Sequence, residues 1–335
     1  MADYDPRVTP WQVSELDFPH TGSEIEQKKF LLRYAILAPS TRNTQPWKFA
    51  VDQRAIRIYA DRAFWQPVAD ADQRELHISL GCALENLLIA AEHFGFAYHV
   101  EYLPSPLNAD LVAEVTFHTP GEPSPFRPPE LFDAIPRRHT VHTEYQPFPV
   151  PREAVKRIED CCVNEGIMLH ITDDMDIRRM VDELTSRADA LEFANPAFRE
   201  ELGQTIGRGV FGTPWLLSVI GQLAMSYLNL GRATAKKDHE VLMSAPLLGI
   251  LSATENSHTA QMKAGQVLER IYLTASTFGI NIHPMSQTLQ VAETKAEIAK
   301  LIPVPDMVPM QPFRIGYAVG GEHHTPRRAL EEVLI

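Results

Sequence analysis

Two stretches of this chain carry the same spaced residues at one interval, 184 positions (81 to 265). Gly81, Leu84, Glu85, Ala91, Phe94 and Gly95 recur as Gly265, Leu268, Glu269, Ala275, Phe278 and Gly279. Each run is apolar at helical spacing and stops at a glycine, the residue favoured just past a helix C-terminus. Six matches in one register imply two copies of one α+β unit, each built on a long helix. At 335 residues the chain has room for two such units.

The order of patterns is compatible with that division. In the first half a helix is expected over 24–37, strands over 48–51 and 56–60, the long helix over 73–94, then strands over 98–103 and 111–118. Prolines 120, 123, 125, 128 and 129 follow, where chain can be neither helix nor central strand. The expected boundaries are therefore a first half over 1–120, a linker over 121–130 and a second half over 131–335. The second half reads as helices over 131–137, 151–164 and 176–191, strands over 168–172, 247–253 and 313–319, the long helix over 259–278 and a further helix over 292–301.

Residues 209–231 contain no charged side chain. Ser218, Gln222, Ser226 and Asn229 fall on one helix face, so a buried helix or covering arm is expected rather than a membrane span. No counterpart occurs in the first half, which makes the region near 195–240 a lid-like insertion. The formal net charge of −12 excludes a generally basic surface for nucleic acid or anionic membrane. Three cysteines, Cys82 and the adjacent Cys161 and Cys162, do not make a disulfide framework, and the N-terminus lacks the pattern of a signal peptide; a cytoplasmic protein is expected.

Several short patterns carry no chemistry in this context. Gly207, Gly209 and Gly212 satisfy the dinucleotide fingerprint, but they follow a helical run rather than a strand and read as a turn. His139 with His142, and His323 with His324, lack a third ligand at metal spacing, so no metal is expected. Three other stretches remain. The loop APSTRNTQPWKF, residues 38–49, crowds hydroxyls and amides between a helix and a strand and occurs once. Arg137, Arg138, His139 and Thr140 form one basic cluster, and Thr325, Pro326, Arg327 and Arg328 another. Guanidinium forks suit phosphate, so the set suits a phosphorylated ligand with a polar heterocycle.

These stretches resemble the nitroreductase family of FMN-binding proteins, in particular its fused, double-length, Acg-type branch. The A-P-S-x-x-N-x-Q-P-W loop is the specific match, and the likeness extends from about residue 24 to the end. The resemblance implies two tandem nitroreductase-like α+β units, with mostly antiparallel sheet and long central helices, forming a pseudo-dimer within one chain. It implies one composite FMN site, to which the first half brings Pro39, Ser40, Thr41 and Asn43. The second half brings Arg138, His139, Thr140 and His142, the loop Pro284, Met285, Ser286 and Gln287, and Arg327 and Arg328. Ser40, Thr41 and Asn43 would meet the ring or ribityl chain, the backbone N–H of Ser286 would meet flavin N5, and the arginines would meet the phosphate. The sequence departs from the family at His142, where a basic residue closes the R-x-S-x-R motif, and at Ser286–Gln287, where an acidic residue and glycine are usual.

The implied activity is transfer of hydride from NAD(P)H through FMN to a small nitroaromatic or quinone-type acceptor, in ping-pong order. The alternative is an FMN-binding or FMN-sequestering protein whose lid occludes the flavin. Neither nucleic acid nor membrane is an expected partner, and the chain is expected as a monomeric pseudo-dimer or a homodimer.

Overall fold

The long helices of the repeat are the centre of the molecule. In the computed structural model, which describes residues 10–212, 239–318 and 324–335, they are α2 (Arg74–His93) and α7 (His258–Thr277). Nineteen of the twenty residues of α2 and fifteen of the twenty of α7 are buried, which a surface helix with one apolar stripe could not be. Their backbones touch at the paired glycines. A Cβ on Gly81 would lie 2.1 Å from the carbonyl oxygen of Met262, and one on Gly265 would lie 2.1 Å from that of Ile78. The two contacts are related by the same sequence interval as the repeat, and only hydrogen at these positions permits the approach. Gly95 and Gly279, at φ +78° and +68°, end the helices in the left-handed conformation that glycine adopts without strain.

Each half contributes an antiparallel sheet. The first joins β1 (Trp47–Val51), β2 (Ala55–Ala60), β3 (Ala97–Tyr102) and β4 (Leu111–His118) in the order β1-β2-β4-β3. The second joins β5 (Tyr145–Gln146), β6 (Ile167–Thr172), β7 (Leu247–Ala253) and β9 (Val308–Ala318) in the order β5-β9-β7-β6, with β8 (Asn281–Pro284) also on β9. Around them lie α1 (Glu24–Ala35), α3 (Pro129–Ala134), α4 (Arg152–Glu159), α5 (Met175–Ala194), α6 (Pro196–Gly207), α8 (Gln287–Gln290), α9 (Ala292–Lys300) and α10 (Leu330–Val333). α1 begins with a reciprocal capping box between Ser23 and Glu26, which fixes where the helix starts and therefore where its last carbonyls emerge.

Two connections lock the halves together. The proline-rich segment is anchored rather than free: Arg127 is buried, with Nε 2.7 Å from Glu85 Oε1 and Nη1 2.7 Å from Glu92 Oε1, both on α2. The C-terminal segment leaves β9 and returns to the first sheet. Leu334 forms a parallel bridge with Phe49, and the Ile335 N–H donates to the Phe49 carbonyl at 2.9 Å.

Residues 207–212 form the end of α6 and a turn, with Gly209 and Gly212 at positive φ, as their setting in the sequence implies. Of the expected insertion, residues 213–238 lie outside the described residues, as do Val319 and His323. Among the described residues no helix is long and apolar enough to cross a membrane, and no cluster of potential metal ligands occurs. The three cysteines are unbridged.

Candidate functional site

The floor between α2 and α7 opens into a cavity of about 410 Å³, within the size range of small-molecule sites. Ser79 and Cys82 of α2 and Leu268 and Tyr272 of α7 line it, so the glycine crossing sets the spacing of its walls.

One wall is the polar loop of the first half. Its backbone turns sharply, with Arg42, Asn43 and Gln45 at φ 49°, 55° and 51°. These left-handed residues are held by local bonds: the Gln45 N–H donates to Ser40 Oγ at 2.9 Å, and Thr44 Oγ1 donates to the Thr41 carbonyl at 3.0 Å. Pro39, Ser40, Thr41 and Asn43 all line the cavity. Asn43 also ties three segments together. Its Nδ2 donates to the Val210 carbonyl (2.6 Å) and the Pro326 carbonyl (2.9 Å), while its Oδ1 accepts from Arg327 at 2.7 Å.

The facing wall is cationic. Arg138 and Arg327, both buried, donate to the same carbonyl, Leu37, at 3.4 and 3.2 Å. That carbonyl follows α1, at the end of a helix where the dipole favours cations. Trp11 lies under both guanidiniums, 4.6 Å from that of Arg327 and 5.9 Å from that of Arg138. The carboxylate nearest Arg138 is Glu269, 3.8 Å from its Nε, and that Nε has no hydrogen-bond partner among the described residues. Burial raises Glu269 to about 7 against the opposing pull of Arg138, so it only partly neutralises that guanidinium. His324 stacks on Trp11 with ring centroids 4.1 Å apart. Burial, with Arg138, His139 and Arg327 nearby, lowers it to about 4, and it adds no charge at neutral pH.

Thr140, His139 and His142 continue this wall, and Pro284, Ser286 and Gln287 form the next. Arg314 of β9 fixes both. It is fully buried and donates to the carbonyls of Val141 (3.1 Å) and Thr143 (2.7 Å) and to Nδ1 of His283 (2.9 Å). His283, which packs edge-on to His142 at 4.4 Å, is kept neutral by burial and by the neighbouring His142 and Arg314.

Twelve of the fourteen expected site residues thus line one cavity. Two do not. The Met285 side chain is buried with Leu248, Ile250 and Leu289 in the core of the second half. Arg328 binds Asp61 Oδ2 (3.1 Å) and the Gln45 carbonyl (3.1 Å), so it secures the C-terminal segment to the first half instead of facing a ligand. Sequence reading missed Trp11, whose Nε1 donates to the Thr325 carbonyl at 2.9 Å, because residues near a terminus carry no spacing signal. It missed Arg314, although an arginine inside an apolar strand was a visible anomaly. It also missed the end of the cavity built by α5 and α6, with Glu192, Phe193, Phe198 and Leu202.

A cavity with a cationic wall, an amide-rich loop and contributions from both halves is found along with an overall relationship to known proteins. The chain is similar along nearly its whole length to Acg-like NAD(P)H nitroreductases. It is 26% identical over 332 residues to "Putative NAD(P)H nitroreductase Rv3131" of Mycobacterium tuberculosis, covering 93% of this chain and 92% of that one. It is 24% identical over 335 residues to "Probable NAD(P)H nitroreductase PigM" of a Serratia strain, covering 90% and 91%. A third relative, the acg protein of Mycobacterium tuberculosis, is 22% identical over 328 residues, covering 94% and 97%. No family model matches the chain. Solved structures with partial likeness include an FMN and NADPH-dependent nitroreductase NfnB from a Sphigopyxis strain (15% identity, TM-score 0.42, covering 61% of this chain and 96% of that one). Another is the FMN-dependent nitroreductase NfnB of Mycobacterium smegmatis in complex with NADPH (16%, TM-score 0.41, covering 60% and 97%).

Proposed function

We propose that this chain is an FMN-dependent NAD(P)H oxidoreductase with one flavin site, assembled from two tandem, related α+β halves that act as a pseudo-dimer. The observation that carries this reading is the convergence of Arg138 and Arg327 on one carbonyl at the wall of the 410 Å³ cavity. Two guanidiniums that converge on one wall of a cavity suit bidentate contact with an anion, and a terminal phosphate is the group proposed there. The names of the full-length relatives point to the same chemistry.

FMN, when bound, supplies the redox chemistry, accepting a hydride and passing on its electrons. The chain's own residues do the rest. Arg138, Thr140 and Arg327 bind the phosphate. Trp11 and the Leu37 carbonyl hold the two guanidiniums in place. Ser40 and Thr41 offer hydroxyls to the ribityl chain or ring. Asn43 acts through Arg327, whose position it fixes, and Ser286 and Gln287 face the cavity from the opposite loop. Two halves related by the glycine crossing account for one site: the first keeps the polar loop and the second the basic clusters. The proposed halves are residues 1–120 and 131–335, joined by 121–130. A nitroaromatic or quinone-type acceptor follows NAD(P)H in ping-pong order.

One contact favours a second reading, an FMN-holding protein with little turnover. Val210, at the start of the uncharged segment, is bound through its carbonyl to Asn43 in the polar loop, and Phe211 lines the cavity. Val210 and Phe211 thereby stand at the cavity wall. Reconstitution with FMN followed by anaerobic NAD(P)H separates the readings. The enzyme bleaches within seconds; the covered flavoprotein stays yellow. A chain that cannot be reconstituted refutes both.

A further inference from the structure

The cavity has a second end that the proposed cofactor contacts do not use. α5 and α6 close it with Phe193, Phe198 and Leu202, and Phe193 and Phe198 meet edge to face at 5.7 Å. Among these apolar groups sits Glu192, 8% exposed, with Oε1 lacking any hydrogen-bond partner among the described residues. Arg42 is the cation facing it, but Arg42 Nη1 and Nη2 donate to Gln66 (3.2 Å) and Gln290 (3.1 Å), and its guanidinium lies over Phe198 at 4.9 Å. A buried, partnerless carboxyl costs stability wherever it stands, so its presence on a cavity wall points to a ligand group.

We propose that Glu192 is the specificity-determining residue of a second subsite, where its carboxyl donates a hydrogen bond to an oxygen acceptor on a flat, uncharged ring. The ring packs on Phe193, Phe198 and Phe211, and its carbonyl or nitro oxygen takes the donor. Burial, opposed by Arg42 and reinforced by Asp189, Glu75 and Glu201, raises Glu192 to about 8. It is therefore mostly un-ionised at neutral pH and available as a donor. Asp189 shares its helix, Glu201 lies on α6, Glu75 on α2 and Arg42 in the polar loop, and these four charged groups set the balance. Above pH 8 the ionised carboxylate can no longer donate and repels the acceptor oxygen. The inference rests on the proposed function only for what occupies the other end of the cavity.

The test uses FMN-loaded, oxidised protein without reductant, so that binding and not turnover is read. Calorimetric titration compares 2,3-dimethyl-1,4-naphthoquinone with 2,3-dimethylnaphthalene. The methyl groups of the quinone block thiol addition at Cys82, which also lines the cavity. The quinone should bind about tenfold more tightly than the hydrocarbon at pH 6.5, the worth of one hydrogen bond, and this advantage should vanish by pH 9. Glu192→Gln keeps a donor and should retain the advantage at every pH. Glu192→Leu should lose it at every pH, with unchanged FMN content as the check on folding. Equal binding of the two ligands to the unaltered chain overturns the proposal. So does an advantage that survives in Glu192→Leu, or pH dependence that survives in Glu192→Gln. A chain that takes no FMN refutes the proposed function instead, and the same titration of flavin-free protein then tests Glu192.

Discussion

Substituting Gly81 by Ala tests whether the central crossing is as tight as its geometry says. The new Cβ would stand 2.1 Å from the Met262 carbonyl oxygen, whereas ordinary contact begins at 3.4 Å. The helices must therefore part by about 1.3 Å, and the obstacle is backbone that cannot rotate aside. Overpacking of this kind costs roughly 1–3 kcal/mol, and a carbonyl contact belongs at the upper end. Alanine recovers about 1 kcal/mol through its better helix propensity, leaving a net loss near 2 kcal/mol. Gly265→Ala meets the Ile78 carbonyl at the same 2.1 Å and should lose as much. The double variant is the sharper test. One separation of the helices relieves both contacts while each alanine recovers its own propensity, so its loss should be about 1 kcal/mol, well below the sum of about 4 kcal/mol. Urea unfolding followed by circular dichroism measures all three, with an unchanged m-value as the check that the same surface unfolds. Singles that cost under about 0.5 kcal/mol, or a strictly additive double variant, would refute the reasoning.

Three further outcomes follow from the buried charges. Arg138→Met with Arg327→Met should weaken FMN binding by at least about a hundredfold, two charge-assisted contacts at roughly 1.5–3 kcal/mol each, measured by flavin fluorescence on titration. Glu85→Ala should cost about 3–5 kcal/mol of stability, because Arg270, 2.8 Å from its Oε1, would lose its carboxylate in the core and Arg127, 2.7 Å from it, would keep only Glu92. Glu269→Gln should flatten the pH profile of stability. The folded carboxyl, raised to about 7 from 4.5, keeps its proton where the unfolded chain has lost it. Its contribution is full below about pH 4.5 and lost as pH rises through 7, by about 3 kcal/mol, and urea midpoints at pH 5 and 8 for both chains would show whether the difference exists.

Much of this was legible in the sequence, for physical reasons. The long helices could be read because burial on all sides demands apolar residues at helical spacing with a glycine stop. The polar loop could be read because a left-handed, hydrogen-bonded turn needs particular residue types at fixed places. β9 was harder. Its prolines 309 and 312 argued against a central strand, yet β8 pairs with it only from Phe313 onward, so both fall where one side has no strand partner among the described residues. β8 itself is four residues ending in proline and has no periodicity to detect. The acid end of the cavity was illegible because Glu192 lies in a helix whose sequence looks amphipathic. Only the packing of α5 on α6 shows that this glutamate is buried.

The two glutamates of the repeat explain why one cavity is enough. Glu85 and Glu269 occupy matching positions and both are fully buried. Burial would raise either carboxyl. At Glu85 the close guanidiniums of Arg127 and Arg270 outweigh it and hold the group at about 2. Glu92 then takes the remaining charge of Arg127. Gln266, whose position corresponds to Cys82, donates to Glu85 at 3.0 Å and fills space where its counterpart lines the cavity. That side is neutral, satisfied and packed by its own side chains. At Glu269 one guanidinium stands 3.8 Å away, the carboxyl is near half protonation at neutral pH, and a second guanidinium is close by. Two guanidiniums here stand beside open space. On the reading of two related halves, the same helix pair presents one face whose charges are paired and packed and another whose guanidiniums line a cavity, and the second is the one proposed to hold an anionic ligand.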